Sequence, residues 1–285
     1  MRDKAVMRDN DCIAFLQWGL PRLKLRWAGY RKVRRTVCKR LRRRLRELNL
    51  DRLAAYRGFL ENHPEEWARL DALCRIPISR FYRDRGVFDC LADRVLPALA
   101  ADAAARGVRK LHCWSAGCAS GEEAYTLRII WDLAIRPDHP KLRFALLGTD
   151  TEPQMLARAE AARYLAGSLK DLPPGWRAAA FAREGEVFCL KPAFRRDMAF
   201  RALDIRRQQP DGPFDLILCR NLAFTYFTPD LQAETLRAIS ARLAPGGYLA
   251  IGAHERLPEV AGGRDRITPG LPIYRKAAGR EKTTI

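Results

Sequence analysis

The chain is poor in histidine and methionine, with four of each in 285 residues. No histidine stands beside an evident partner, so a reaction built on an imidazole base finds little support. None of the eight cysteines, at 12, 38, 74, 90, 113, 118, 189 and 219, belongs to a C-x-x-C pair. They fall mostly in apolar segments. The expectation is therefore buried thiols in a reducing cytoplasm, with no metal site and no disulfide. No apolar run is long enough to cross a bilayer, and the opening "MRDKAVMRDNDC" is not a secretory signal, so membrane insertion is not expected. Acid is scarce as well: 52 Lys and Arg face 33 Asp and Glu, a net charge of +19. Met1–Leu50 alone holds 16 Lys/Arg against 4 Asp/Glu, so +12 of the excess is regional. Such a segment calls for an acidic partner: nucleic acid, an anionic membrane surface, or a Glu-rich protein surface.

What is present divides into two rhythms. Residues 10–100 read as helical. Val33, Val37, Leu41, Leu45 and Leu48 recur every three or four positions, while the rest of "RKVRRTVCKRLRRRLREL" is nearly all cationic. A helix over 31–46 would thus pack one face and carry a basic stripe on the other. Asn49 is expected to cap the helix that follows. From about Lys110, short apolar runs alternate with helical patterns. The runs are "KLHCWSA", "RFALLGTD", "FRALD", "FDLILCRN" and "GGYLAIGAH"; the helices fall over 121–135, 152–162 and 229–243. This alternation describes an α/β domain with a mostly parallel sheet covered on both faces. The expected division is a helical, basic domain over 1–95 and an α/β domain over 96–278. An insertion at about 164–200 interrupts the latter, and a disordered tail follows at 279–285.

The densest signal is "HCWSAGCASGEEAY", residues 112–125. In an open α/β sheet, ligands bind beyond the carboxyl ends of the strands, near the point where strand order reverses. The first strand delivers Ala116 and Gly117 there, with glycines that let a ligand approach the backbone. Glu122 and Glu123 open the next helix. The second strand ends at Asp150, placed to accept both hydroxyls of a ribose. The third ends near Asp204 and Ile205, where an adenine amino group could be received. The fourth ends at Arg220 and Asn221. The loop departs from the G-x-G-x-x-G spacing of dinucleotide folds, and its acids would repel a pyrophosphate. A sulfonium and an ammonium would be welcome, so S-adenosylmethionine fits the loop better than a dinucleotide.

Five blocks then carry a resemblance, in order: "ISRFYRD", "CWSAGCASGEEAYTL", "LLGTDTEPQMLARAEAARY", "FDLILCRNLAFTYF" and "LAPGGYLAIGAHE". Across most of residues 15–275 the chain resembles the CheR-type chemoreceptor glutamate methyltransferases. The resemblance implies a Rossmann-like, mixed but mostly parallel methyltransferase domain behind a small all-α N-terminal domain. It implies S-adenosylmethionine as cofactor and glutamate methyl esters on chemoreceptor-like proteins as product. Residue by residue, it makes Ser79, Arg83, Ala116, Gly117, Glu123, Asp150, Asp204, Ile205, Arg220 and Asn221 the cofactor positions, with no metal. Ser79 stands where the family has Thr, and Asp204 where it has Asn. Arg83 and Tyr226 are the candidate catalytic pair.

Methyl transfer from a sulfonium is an in-line displacement, and a glutamate with an ordinary pKa of about 4.3 arrives already ionised, so no base is required. The Arg83 fork suits a carboxylate. The basic helix 31–46 suits an acidic, helical region of a receptor. Three alternatives stay open on the sequence: methylation of nucleic acid, methylation of a small molecule, and a degenerate cofactor-binding scaffold. Charge alone also leaves nucleic acid open as a partner. The stretch "FAREGEVFCLK" lacks the glycine cluster with which some family members bind a receptor's C-terminal pentapeptide. An immobilised receptor-tail pentapeptide is accordingly expected not to retain the protein, and retention in a pull-down would contradict this.

Overall fold

A computed structural model describes residues 8–259, 264–267 and 270–277. The opening residues 1–7 and the tail expected at 279–285 lie outside the described residues. The chain forms two compact units, Met1–Ile76 with Thr225–Gln232, and Pro77–Phe224 with Ala233–Ile285.

The first unit is helical: α1 (Asp9–Gly19), α2 (Trp27–Tyr30), α3 (Arg34–Glu47), α4 (Leu53–Asn62) and α5 (Glu66–Cys74). Helix α3 follows its apolar period. Val37, Cys38, Leu41 and Leu45 are buried, while Arg35, Lys39, Arg43 and Arg46 are exposed. Its third face is anchored. Arg44 forks onto Glu66 at 2.9 and 2.7 Å, and the Tyr56 hydroxyl donates to the same carboxylate at 2.6 Å. Burial pushes the Glu66 carboxyl up, but hydrogen bonds from Arg44 and Tyr56 outweigh it and leave its pKa lowered. Asn49 does not cap α4, which starts after Arg52. It instead takes a left-handed conformation (φ 56°) and closes α3, a position that tolerates Asn because its short polar side chain accepts positive φ. The returning stretch Thr225–Gln232 is sewn to α2 and the chain before it. The Arg26 N–H donates to the Tyr226 carbonyl at 2.8 Å, and its Nε to that of Thr225 at 3.0 Å.

The cysteine expectation fails at one pair. Cys12 of α1 and Cys38 of α3 form a disulfide with their Cα atoms 6.0 Å apart. The two positions are buried where these helices face each other, a proximity that a sequence separation of 26 conceals. The other six cysteines are thiols.

The second unit starts with α6 (Arg85–Cys90), which runs through a π-helical turn at Leu91–Val95 into α7 (Leu96–Ala105). Strand and helix then alternate as β1 (Lys110–Ala116), α8 (Glu122–Ile130), β2 (Arg143–Asp150) and α9 (Pro153–Ala161). A small antiparallel sheet interrupts them. It consists of β3 (Arg163–Leu165), β4 (Phe181–Glu184) after α10 (Pro174–Ala180), and β5 (Val187–Leu190), in the order β3-β5-β4. The main sheet resumes with β6 (Met198–Ala202) and β7 (Phe214–Cys219). After α11 (Ala223–Tyr226) and α12 (Pro229–Arg242) come β8 (Leu243–Ile251), β9 (Arg264–Arg266) and β10 (Ile273–Lys276). Its order is β6-β2-β1-β7-β8-β10-β9. The first five strands are parallel, and β10 runs antiparallel to both neighbours. The five parallel strands are those that the alternation indicates, and the antiparallel β10 makes the sheet mixed, as the resemblance implies. Strand order reverses between β1 and β7. The chain builds outward from β1 through β2 to β6, then returns to β7 and builds the other way.

Burial explains the periods. Leu111, Cys113 and Trp114 of β1 and Leu216, Ile217 and Leu218 of β7 are at most 1% exposed, as central parallel strands require. The Trp114 indole N–H donates to Thr149 Oγ1 at 2.9 Å, so even this strand's polar atom is satisfied inside. Within the first unit, the disulfide closes a long loop. Under oxidising conditions Cys12→Ser should lower unfolding stability by about 3 kcal/mol in urea titration. Reductant should cost the wild type a similar amount and leave the variant unchanged.

Candidate functional site

The carboxyl ends of β1 and β7 meet at the reversal of strand order, where open α/β sheets place their ligands. Gly117 leaves β1 at φ 75°, and the Gly117 and Cys118 N–H groups both donate to the Thr149 carbonyl, at 2.7 and 2.9 Å. The loop is thereby folded across the end of β2. Gly121, at φ 87°, opens α8.

The two adjacent acids part company here. Glu122 turns inward, 2% exposed, and both its oxygens accept from Ser120 Oγ. Glu123 accepts from Ser115 Oγ at 2.7 Å and from Arg220 Nη1 at 3.0 Å. Arg220 is enclosed, its side chain 1% exposed. Its Nη2 donates to the Asp84 carboxylate at 3.0 Å and to the Arg83 carbonyl at 2.7 Å, and its guanidinium lies 4.7 Å from the Phe88 ring centre. One cation thus stands between two acids, and they respond in opposite ways. Burial raises the Glu123 pKa and prevails over Arg220 and Ser115. At Asp84 burial also pushes upward, but Arg220 and the Ala253 N–H outweigh it and the pKa is lowered.

Asp150 closes the other side of the β1 loop. Its oxygens accept the N–H groups of Ala119 and Glu152, each at 2.9 Å. Burial nonetheless raises its pKa. Each carboxylate oxygen has a second lone pair, so two hydroxyls can still be accepted.

Around this centre, Arg83 donates to the Ile78 carbonyl at 2.7 Å and to Asn221 Oδ1 at 3.3 Å. Ser79 sits inside the loop that the first of these bonds closes. Asn221 turns out of β7 at φ 55°. Ala116 is buried at the end of β1, and Ile205 is 6% exposed. Asp204 already has a protein partner. Its carboxylate is gripped by the Arg206 guanidinium, with Nε at 2.9 and 3.1 Å and Nη2 at 2.7 Å, and also accepts the Arg206 N–H at 3.0 Å. Tyr226 belongs to the helical unit, where its ring packs on Tyr30 with centres 5.0 Å apart.

Sequence reading passed over four participants. Asp84, the last residue of "ISRFYRD", is the second acid on Arg220. Ser115 sets Glu123, and Arg206 occupies Asp204. Glu255, the last residue of a quoted block, accepts the Asn221 N–H at 2.8 Å. Its signal was its place four residues past the end of β8, beyond the strand ends that were read for ligands.

The family described as "CheR methyltransferase, SAM binding domain" matches residues 78–267, and "CheR methyltransferase, all-alpha domain" matches residues 32–71. The chemotaxis protein methyltransferase of Listeria monocytogenes is 34% identical over 186 residues, 65% of this chain and 68% of that one. A probable chemotaxis protein methyltransferase of Rhizobium etli is 31% identical over 257 residues, 86% of this chain and 93% of that one. An uncharacterised 104.1 kDa protein of Rhodobacter capsulatus is 32% identical over 225 residues, 79% of this chain and 23% of that much longer one.

The donor set suits S-adenosylmethionine. Two acids share one enclosed arginine, and Asp150 adds a third carboxylate, which leaves an excess of negative charge for a sulfonium. Glu123 and Asp150 have raised pKa values, so both protonate at a pH above the ordinary carboxylate range of about 4 and then lose their attraction for a cation. Calorimetric affinity for S-adenosylmethionine should therefore weaken as pH falls, and should begin to do so at a higher pH than ordinary carboxylates would set. Affinity that rises on acidification would contradict the assignment.

Proposed function

As a member of the CheR methyltransferase family, the chain takes S-adenosylmethionine as methyl donor, and we propose that it esterifies glutamate side chains of chemoreceptor-like proteins in the cytoplasm. The observation that carries this reading is the enclosed Arg220 between Glu123 and Asp84 at the reversal of strand order. It supports a cationic ligand held among acids, beside a surface arginine that can meet an anion. Arg220 makes its bonds to protein groups, so its part is to set the two acids. Arg83 has a side chain that reaches Asn221 and a backbone carbonyl held by Arg220, and it is the group proposed to take the acceptor carboxylate. Tyr226 keeps the catalytic role that the family resemblance implies.

Chemistry at this site needs alignment and exclusion of water. The acceptor glutamate attacks as a carboxylate, and the methyl group leaves a sulfur that becomes neutral. No proton need move, which agrees with a site assembled without histidine. Gly117 and Ala116 bring backbone to the donor, and Asp150 is proposed to hold its ribose. Asp204 and Ile205 are proposed to flank the adenine, with Arg206 rather than free solvent completing the Asp204 carboxylate. Ser79 lies in the loop that carries Arg83.

The exposed cations of α3 extend the reading to a partner. Arg35, Lys39, Arg43 and Arg46 recur three or four residues apart, the spacing at which an acidic helix presents its own side chains. A Glu-rich helical region is the proposed match.

Titration calorimetry with S-adenosylmethionine and with its demethylated product tests the cofactor site. Asp150→Ala should weaken both by about a hundredfold or more, the scale of losing two charge-assisted hydrogen bonds. Labelled methyl groups should then appear on a purified chemoreceptor cytoplasmic fragment and be released by base. A wild type with no affinity for the donor, or base-stable label, would overturn the reading.

A further inference from the structure

Glu255 has no part in any step described so far, yet its carboxylate is almost fully buried at 6% exposure. One oxygen, Oε2, accepts two backbone N–H groups, from Gly252 at 2.6 Å and from Asn221 at 2.8 Å. The Glu255 N–H in turn donates to the Gly252 carbonyl at 2.9 Å. These bonds tie the turn after β8 to the corner after β7, the neighbouring strand whose Cys219 is in register with Ile251. The fit is close. A Cβ on Gly252 would stand 2.8 Å from Glu255 Oε2 and 3.0 Å from Asn221 Oδ1, so residue 252 must lack a side chain for the carboxylate to reach across.

What the carboxylate holds is an unusual piece of backbone. Asn221 has φ 55°, the left-handed region that Asn enters more readily than most non-glycine residues, and the bond from its N–H to Glu255 holds it there. That conformation aims the Asn221 side chain at Arg83, whose Nη2 donates to Oδ1 at 3.3 Å. Asp84 is fastened from the same turn, through the Ala253 N–H at 3.5 Å, the longest of these bonds. A carboxylate facing two amide donors is a charge-assisted clamp, stronger than a neutral acceptor would be.

We propose that Glu255 is a positioning residue for methyl transfer: by clamping the Asn221 amide it sets the Asn221–Arg83 pair that receives the acceptor carboxylate. The inference rests on the acceptor role of Arg83 proposed above. Asn221 and Arg83 border the donor as well, but Asp150 and Glu123, which are proposed to carry it, are held by Ala119, Glu152, Ser115 and Arg220. Loss of Glu255 should therefore appear in turnover more than in donor affinity.

The test compares Glu255→Ala, Glu255→Gln and Glu255→Asp with wild type. Each is assayed for transfer of labelled methyl to a chemoreceptor cytoplasmic fragment, and for binding of S-adenosylhomocysteine by calorimetry. Glu255→Ala should lower kcat by about 10- to 100-fold, the cost of an ångström-scale misplacement, and leave the S-adenosylhomocysteine Kd within about threefold. Glu255→Gln keeps an oxygen toward both amides and should restore kcat to within about threefold of wild type. Glu255→Asp keeps the charge but is one methylene short, and should lose turnover like the alanine variant. If Glu255→Ala does not melt cooperatively, the Asp and Gln variants carry the comparison. A folded Ala or Asp variant with wild-type kcat overturns the inference, as does a loss of kcat matched by an equal loss of S-adenosylhomocysteine binding. If wild type binds S-adenosylhomocysteine but labels no fragment, the acceptor reading itself fails, and this inference falls with it.

Discussion

Arg220 carries a full charge into the interior, and the rest of the site is arranged around that fact. A buried guanidinium is tolerated only where anions and carbonyls meet it, and here Asp84, Glu123 and the Arg83 carbonyl do so. The two carboxylates and the arginine come from three parts of the unit, Arg83 lying beside Asp84. Asp84 precedes α6, Glu123 lies in the first turn of α8, and Arg220 itself follows β7. The ion triad therefore does for the end of the sheet what apolar packing does for its middle: it holds three segments in register. It also sets apart two acids of similar nature, one favouring its charge and one disposed to lose it. A fixed backbone at Arg83, beside those acids, follows from the same contacts.

The central strands were legible because burial on both faces writes itself into sequence as nearly unbroken apolar runs. "KLHCWSA" and "RFALLGTD" coincide with β1 and β2 residue for residue. The reading slipped at β6, expected over "FRALD" and found at Met198–Ala202. That strand lies at the edge of the sheet and is partly exposed, so its apolar pattern is weak. The strand ends nearest the reversal were readable for the same reason as the strands: once β1 and β7 are placed, Gly117, Glu123 and Asn221 have nowhere else to go.

What stayed hidden is what depends on side chains distant in sequence or on local competition. The Cys12–Cys38 bond needs two helices to face each other, and no spacing rule announces it. Arg206, two residues after Asp204, curls back onto its carboxylate, a pairing that neither helical nor strand periodicity marks. Glu255 was visible only as the last letter of a block, since the amide it holds lies 34 residues earlier. In each case the residue types were plain and the geometry was not.

Gly117 leaves no space for a side chain: a Cβ there would come within 2.5 Å of Leu222 Cδ2. The turn after β1 and the corner after β7 are thus keyed to one another like the two halves of a mould, although about a hundred residues of chain and two further strands of the sheet separate them. A side chain at 117 would have to adopt a φ of 75° and displace Leu222, so a change in one turn is felt in the other, and acceptor preference in this architecture is a property the two turns share.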